Sequence, residues 1–130
     1  MGRRFENTLD CEIEYLFNGG SDPHDPGVSL VRAVSGASPQ AGRHLVGLTA
    51  NYEFLPIAVG QLAVIRSLSD SSFLLQPTVT ISLSDEMTAI AGFTLNRGAR
   101  PDTSAPGLDG VRSEFGSYPD VCFVQWKWYF

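Results

Sequence analysis

The stretch VCFVQWKWYF, residues 121–130, alternates between two kinds of side chain with a period of two residues. One set of alternate positions is apolar throughout, whereas the other set includes Gln125 and Lys127. Successive side chains of a β-strand point to opposite faces of its sheet. The stretch therefore predicts a strand with one apolar and one mixed face, and the apolar positions are Cys122, Val124, Trp126, Trp128 and Phe130.

The same alternation recurs in earlier segments of the chain, and no segment has the 3.6-residue period of a long helix. The alternation is ambiguous only in Ala58–Ser67, where apolar residues fall on both sides. Pro26–Val34 predicts a short helical turn or strand. We therefore predict an all-β fold, an antiparallel up-and-down meander of about six strands, with the first five at Thr8–Asn18, Arg43–Phe54, Ala58–Ser67, Phe73–Ser84 and Met87–Asn96.

The predicted connections alternate between tight turns and polar loops. Tight turns are expected at 55–57 and 84–86, and long Gly/Pro/Ser/Asp-rich loops at about 18–42 and 98–120. In a meander, this alternation puts the two tight turns on one rim of the sheet and the longer loops on the other. We predict a single β-barrel segment over residues 1–130, because short turns on one rim and long loops on the other are typical of outer-membrane barrels.

Composition excludes several classes of protein. The net charge is −5 and basic residues are scattered, which argues against a nucleic-acid surface. The longest apolar-rich run, Phe54–Ile65, is shorter than the ~20 residues of a membrane-spanning helix. Residues 1–15 lack the apolar core of a secretory signal, which suggests a cytosolic protein or a chain without its original start. Cys11 and Cys122 have no metal or redox spacing, and we expect them to be small buried apolar residues.

Charged residues on the mixed faces are the candidates for lining a water-filled space. Acidic positions alternate with apolar ones in the first predicted strand. They predict either a cation-favouring stripe or simply the solvated face of an amphipathic strand. The same faces also predict cross-strand charge pairs. The candidate set is Asp10, Glu12, Glu14, Arg43, Glu53 and Lys127.

Catalytic and metal-binding chemistry is weakly represented. Asp22, His24 and Asp25 could offer ligands to a hard cation, but the segment lacks an EF-hand pattern and reads better as a rigid turn. No nucleophile elbow or phosphate loop occurs, and the chain has two histidines in all. We therefore expect no enzyme activity, no catalytic residues, no cofactor and no metal.

The last ten residues resemble the C-terminal signature of bacterial outer-membrane β-barrel proteins, a final strand that ends in Phe with apolar residues at alternate positions. The words SLSD, SEFG, YPD and WKWYF extend the resemblance to the C-terminal part of large, poorly characterised porin-like barrels. The resemblance implies a location in the bacterial outer membrane and recognition of the last strand by the barrel-assembly machinery. It also implies contact with lipid and passive passage of small polar solutes.

Aromatic placement fits that resemblance. Tyr52 and Phe54, together with the aromatic residues of the last strand, lie near strand ends on the predicted turn rim. Trp and Tyr favour a membrane–water interface, where an apolar ring meets water at one edge. We therefore expect an aromatic girdle on this rim.

Two features depart from the family, namely the missing signal peptide and the number of strands. Six strands are fewer than the ~8 of the smallest barrels, and lipid does not tolerate open sheet edges. The remaining strands are expected from a missing N-terminal part or from other copies of the chain. The main alternative is a soluble antiparallel β-sandwich or small β-barrel that binds a ligand, with the apolar faces turned inward.

Overall fold

A computed structural model of the chain describes residues 1–6, 8–19, 42–104, 110 and 112–130. The described part contains seven strands and one short 3-10 helix, Phe115–Ser117. The predicted loop at 18–42 lies almost wholly outside the described residues, as do the Pro26–Val34 segment and the candidate ligands Asp22, His24 and Asp25. The strands are β1 (Gly2–Arg4), β2 (Asp10–Phe17), β3 (His44–Leu55), β4 (Ala58–Ser67), β5 (Phe73–Ser84), β6 (Met87–Arg97) and β7 (Val121–Trp128).

All seven strands form one antiparallel sheet in which each strand pairs with its neighbours in sequence, in the order β1 to β7. The predicted all-β meander is therefore confirmed, with β1 as an additional strand. The sheet is open, because no pairing joins β7 to β1 or β2 in the described part of the chain.

Strand bounds agree with the predicted ones to within two residues, and the ambiguous segment becomes β4. Its register assigns each side chain to a face, since Leu62 pairs with Ala50 and Ile65 pairs with Gly47. Leu62 and Val64 therefore share one face, and Val59 and Ile65 share the other. Apolar residues occur on both faces of β4, which explains why the alternation of the sequence was ambiguous there.

The two rims of the sheet differ in their connections. Tight turns at 56–57 and 85–86 form one rim, which we call the turn rim. The opposite rim, the loop rim, carries the connection from β4 to β5 and the approach from β6 to β7. Ser71 has a φ of 60° in the first of these, which lets the chain reverse between the two strands.

Pro77 lies in the middle of β5, a position that prolines usually avoid because they cannot donate to the ladder. It pairs with Leu62 on β4. The recorded register with β6 stops at Leu75 and resumes at Thr78. The missing N–H of Pro77 thus accounts for a local gap in the β5–β6 ladder.

Very little of this sheet is covered. Among the described residues, the buried hydrophobic side chains are Leu45 and Phe115, which are 3% and 4% exposed. The accessible surface is 8807 Å², whereas a compact chain of 14.1 kDa is expected to expose roughly 6,700 Å². The sheet is a single layer, and in the described part no second layer packs across it.

Candidate functional site

The cross-strand register defines two faces of the sheet. Cys11 pairs with Ala50, Ala50 with Leu62, and Leu62 with Pro77, so these side chains lie on one face. We call this the apolar face. In β2 to β7 its larger side chains are Ile13, Tyr15, Phe17, Val46, Leu48, Tyr52, Leu62, Val64, Phe73, Leu75, Val79, Ile81, Phe93, Leu95, Val124, Trp126 and Trp128.

The apolar face is open to its surroundings. Ile13 is 57% exposed at one side of the sheet, and Val124 is 79% exposed at the other. Monomeric soluble proteins seldom expose a contiguous apolar patch larger than roughly 300–600 Å². The apolar face extends over six strands, and we expect its side chains to be covered by something other than water.

Charged side chains of β2 to β7 reach the apolar face in one row, next to the loop rim. Arg66 pairs with Phe73, and Phe73 pairs with Arg97, so the two arginines flank one aromatic ring. His44 lies nearby on the same face, and its Nδ1 is 2.6 Å from the Tyr15 hydroxyl. Between this row and the turn rim, the apolar face of β2 to β7 carries no charged residue.

Aromatic rings border the apolar face at the turn rim. The rings of Tyr52 and Phe54 meet edge to face with their centroids 5.0 Å apart. Trp128 pairs with Met87 beside the 85–86 turn, and Trp126 pairs with Ala89. Phe130 follows the strand and is fully exposed. The predicted girdle residues of both chain regions therefore lie on the same rim, with Cys122 and Val124 on the same face nearer the loop rim. The expectation that both cysteines are buried is wrong, because Cys122 is exposed and Cys11 is half-buried on a face that no second layer covers in the described part.

The band between the arginines and the aromatic rim has a measurable height. β6 crosses it from Met87 to Arg97, a strand of 11 residues. At ~3.3 Å per residue this is roughly 35 Å along the strand. At the ~35–45° tilt of outer-membrane barrels, a strand of this length would cover about 25–29 Å, close to the ~25 Å height of their apolar band.

The opposite face, which we call the polar face, carries mainly hydroxyl, amide and carboxylate side chains. Register places Asp10 beside Asn51, Glu12 beside Thr49, and Thr88 beside Lys127. Five of the six candidates from the sequence therefore share this face, namely Asp10, Glu12, Glu14, Glu53 and Lys127. They are spread over three strands and two ends of the sheet and do not form one cluster.

Arg43, the sixth candidate, lies just before β3 at the loop rim. Its guanidinium carbon is 5.6 Å from the centroid of the Phe17 ring, a cation–π contact. The ion pairs recorded in the described part are Arg97 with Asp120 and Arg112 with Asp102, both at 2.8 Å. Neither pair involves a residue predicted to line the water-filled space.

At the loop rim, the segment before β7 folds back over the polar face. Its 3-10 helix, Phe115–Ser117, places the Phe115 ring by Ile65, Leu74 and Val121. A cleft of about 450 Å³ remains open between these groups and Tyr118. Every fully buried residue of the described part lies at this rim. We call the assembly the rim latch, consisting of Asp70, Ser72, Ser113, Glu114 and Phe115.

Asp70 is the acceptor at the centre of the rim latch. Its Oδ1 accepts hydrogen bonds from the Ser72 amide at 2.9 Å and the Ser72 hydroxyl at 2.6 Å. Its Oδ2 accepts the Glu114 amide at 2.6 Å. Burial alone raises the pKa of Asp70, but these hydrogen bonds outweigh it and hold the pKa below its ordinary value.

Further hydrogen bonds extend the rim latch in both directions. The Gly42 amide donates to Glu114 Oε2 at 2.9 Å, which ties the segment to the start of β3. The Phe115 amide donates to Ser72 Oγ at 3.3 Å. The Ser113 hydroxyl donates to the Ala99 carbonyl at 2.8 Å and accepts the Gly116 amide at 3.1 Å. Four loop-rim segments, at Gly42, 70–72, Ala99 and 113–116, are thereby joined at one point.

A second junction holds β6 to the start of β7. Asp120 accepts the Asn96 amide at 2.8 Å and the Arg97 guanidinium at 2.8 Å. These two hydrogen bonds, the first being the stronger influence, hold the pKa of Asp120 below its usual range. The Asn96 side-chain amide donates to the Pro119 carbonyl at 2.8 Å. Together with the rim latch, this junction fixes both ends of the 112–120 segment.

Sequence reasoning missed the rim latch as a site. The resemblance draws on the words SLSD, SEFG and YPD, and the structure brings residues of SLSD at 67–70, SEFG at 113–116 and YPD at 118–120 to the loop rim, whereas the second SLSD, at 82–85, lies at the turn rim. Asp70-x-Ser72 is also a local turn signal, because Asp side chains commonly accept the amide two residues on. The partner Glu114 is 44 positions away, and no local pattern indicates that contact.

Comparisons of the chain with protein-family models, with curated proteins and with solved structures found no match. Within the described ranges, no helix is both long and apolar enough to span a membrane. No three His, Cys, Asp or Glu side chains of the described part converge on a metal site.

Proposed function

We propose that this chain forms part of the wall of a β-barrel in the bacterial outer membrane. The apolar face lies against lipid, and the polar face lines a water-filled lumen through which small polar solutes pass without catalysis. The barrel-assembly machinery reads β7 and the terminal Phe130. Further strands, from a preceding part of the protein or from other copies, complete the wall.

The observation that carries this proposal is the exposed apolar face with its two borders. Lipid covers such a face without any protein partner. An aromatic border on one side and an arginine row on the other match the two interfaces of a bilayer. The height of about 25–29 Å at the tilt of known barrels is close to the ~25 Å of their apolar band.

A soluble sandwich accounts less well for the same observation. It requires a second sheet of similar size against the apolar face, and the described residues form one layer. A packed core also favours large aromatics at mid-strand, whereas Tyr52, Trp126 and Trp128 lie towards the turn rim.

The polar face supports a lumen rather than a second lipid surface. Thr78, Thr80 and Ser82 follow one another on β5, and Gln125 and Lys127 lie on β7. Carboxylates of β2 and β3 give the lumen a negative wall, so cations are the favoured solutes. The rim latch narrows the lumen from the loop side, because Phe115 folds over this face.

Two neighbouring substitutions test the facing of the sheet. Val79→Arg puts a cation on the apolar face near the midplane, where it costs ~2–4 kcal/mol and blocks insertion into lipid vesicles. Thr80→Arg is matched in size and charge but points to the polar face, so we expect insertion with reduced cation conductance. Insertion is measured by protection from protease, and conductance in a planar bilayer.

Equal insertion of both variants would contradict the assignment of the apolar face to lipid. Normal insertion of the unsubstituted chain without any conductance would leave the membrane wall intact and contradict the passage of solutes. Failure of the unsubstituted chain to enter vesicles under any condition would contradict the proposal as a whole.

A further inference from the structure

We propose that the two open edges of the sheet pair with each other between copies of this chain, β7 of one copy against β2 of the next. The inference rests on the proposed membrane location and names the partner that closes the wall, a second copy. Four observations carry it: strand direction, the stagger of the strand ends, charge complementarity and the matching of faces.

Strand direction selects β2 as the acceptor edge. All neighbours in the sheet are antiparallel, so β1 and β7 run the same way, whereas β2 and β7 run in opposite directions. Pairing β7 with β1 of another copy would be parallel. Pairing it with β2 continues the meander, and each copy then contributes six strands, β2 to β7. Any number of copies gives an even strand count, as single-chain membrane barrels have.

The stagger of the strand ends sets the register of this contact. A row perpendicular to the strands runs from Asp10 through Asn51, Gln61, Thr78 and Gly92 to Phe123. β2 begins on this row, whereas β7 continues past it towards the turn rim as far as Trp128. From β2 to β7 the strand ends therefore move by five residues towards the turn rim, from the row of Phe123 to Trp128, an average of one residue per strand. The next β2 continues this average slope when it is shifted by about six residues.

If each copy contributes six strands and its neighbour is shifted by six residues, the shear number of the closed barrel equals its number of strands. That ratio corresponds to a strand tilt of ~36°, which lies within the ~35–45° of outer-membrane barrels. A shift of four gives a smaller tilt, and an odd shift would turn the apolar face of one copy to the lumen. Two copies give about 12 strands and three give about 18, both within the known range of ~8–26.

Side chains match in this register on both faces. On the polar face, Lys127, the single lysine of the chain, comes opposite Glu12, and Gln125 comes opposite Glu14. Phe123 comes opposite Leu16, which extends the apolar patch around Leu45. On the apolar face, Trp126 comes opposite Ile13, so the lipid-facing surface continues without a charge across the junction.

β1 must leave the edge of β2 for this contact to form. It is a strand of three residues, exposed throughout, and it pairs Gly2 with Glu12 and Arg4 with Asp10. Backbone hydrogen bonds between Met1 and Ile13 and from the Phe5 amide to the Leu9 carbonyl flank these pairs and must also break. In the structure Arg4 lies opposite Asp10. In the proposed register Lys127 lies opposite Glu12, which is the next residue of β2 on the same face. The incoming strand β7 has eight residues. It therefore pairs with a longer part of β2 than β1 does.

Disulfide cross-linking between two differently tagged chains tests the contact and its register. Both chains carry Cys11→Ser and Cys122→Ser, one also carries Glu12→Cys, and the other carries Lys127→Cys. After refolding together in detergent and mild oxidation, we expect a dimer band with both tags. The Asp10→Cys and Lys127→Cys combination, which reports a shift of four, should give several-fold less product, and Glu12→Cys alone should give none.

Charge reversal provides a second measurement that does not depend on cysteine geometry. Glu12→Lys or Lys127→Glu alone should weaken association of the chain about threefold to fivefold, since an exposed ion pair contributes up to ~1 kcal/mol. The doubly reversed chain restores the pair at every junction and should associate like the unsubstituted one. Sedimentation in detergent measures these association constants.

Each outcome either supports or overturns the proposal. A monomeric cross-link in one chain that carries both Glu12→Cys and Lys127→Cys would mean that the chain closes on itself, which overturns it. Absence of cross-links and a monomeric state in a chain that still inserts into vesicles would show that another partner covers the edges. That result overturns the self-pairing but not the membrane wall, whereas failure of insertion overturns the membrane wall itself.

Discussion

Asp70 is the residue on which the loop rim depends most directly. One carboxylate accepts three hydrogen bonds, two from Ser72 and one from the Glu114 amide. Its pKa is lowered in the folded chain, so its contribution to stability is present above the ordinary aspartate pKa and lost as the pH falls through the folded value. We expect the rim latch to loosen below about pH 4.

Asp70→Asn tests this expectation without a change of shape. Asparagine replaces one acceptor oxygen by an N–H donor, which leaves an amide or hydroxyl of the rim latch without its acceptor and costs ~1–3 kcal/mol locally. Hydrogen-exchange protection of the Glu114 and Phe115 amides should fall at neutral pH and lose its acid-dependent step. Unchanged protection in the variant would contradict the role given to Asp70.

Gly98 and Gly116 permit the close approach of two chain segments in the rim latch. A Cβ on Gly98 would overlap the Ser113 hydroxyl and lie 2.7 Å from Ser72 Cβ. One on Gly116 would overlap the Ala99 carbonyl. We expect Gly98→Ala to destabilise this rim by ~1–3 kcal/mol, the usual cost of overpacking.

Tryptic cleavage after the exposed Arg112 measures that loss, because Arg112 directly precedes the rim latch. Gly47→Ala is the matched control, since its Cβ would meet Glu14 Cβ at 4.0 Å and nothing closer. Cleavage should become faster in Gly98→Ala and stay unchanged in Gly47→Ala. Equal cleavage rates in both variants would mean that the close approach of the two chain segments at Gly98 does not contribute to the stability of the loop rim.

Single residues were predictable from the sequence where the period of two applies. The facing of Val79 and Thr80, or of Trp126 and Lys127, follows from position within a strand. The burial of Ser72, Ser113 and Glu114 does not, because it depends on segments that meet only after the sheet has formed. Polar residues in a loop-like sequence predict exposed side chains, whereas these residues of the rim latch are buried.

Among the elements, β7 offers the most direct test of the proposed membrane location. Trp126 and Trp128 are the only tryptophans of the chain, and they point the same way two residues apart. At ~3.4 Å per residue and a tilt of ~40°, the indole of Trp126 should lie about 5 Å deeper in the membrane than that of Trp128. Quenching by lipids brominated at different acyl positions measures both depths.

Trp128→Phe and Trp126→Phe isolate the two signals in turn. The variant that retains Trp126 should be quenched more strongly by deeper bromines than the one that retains Trp128. In a soluble sandwich neither indole would respond to brominated lipid. Equal depth for both would contradict the tilt and direction assigned to β7.

Strands were predictable where they are long and alternate, and their bounds follow the sequence closely from β2 to β7. β1 was missed because Gly2-Arg3-Arg4 offers neither alternation nor an apolar residue. It forms because β2 presents an edge beside it, which is a tertiary cause. The sequence likewise left the facing of β4 open, and only pairing with β3 and β5 decides it.

At the scale of the whole molecule, the exposed apolar face affects the free energy of unfolding more than any single local contact does. The accessible area exceeds that of a compact chain of the same mass by roughly 2,000 Å². The two buried hydrophobic side chains among the described residues cannot offset the conformational entropy of seven ordered strands, which costs ~1–2 kcal/mol per residue. Most of the free energy that stabilises this sheet must therefore come from whatever covers its apolar face.

That dependence gives the last prediction. In detergent micelles the chain should hold its β-structure on heating, because the micelle covers the apolar face and the strands keep their backbone hydrogen bonds. Diluted out of detergent, it should aggregate, since both the apolar face and the strand edges are then exposed to other copies. Circular dichroism during heating and light scattering after dilution measure the two behaviours. A stable, detergent-free monomer with the same β-content would mean that the chain covers this face by itself, and would remove the physical basis for placing it in a membrane.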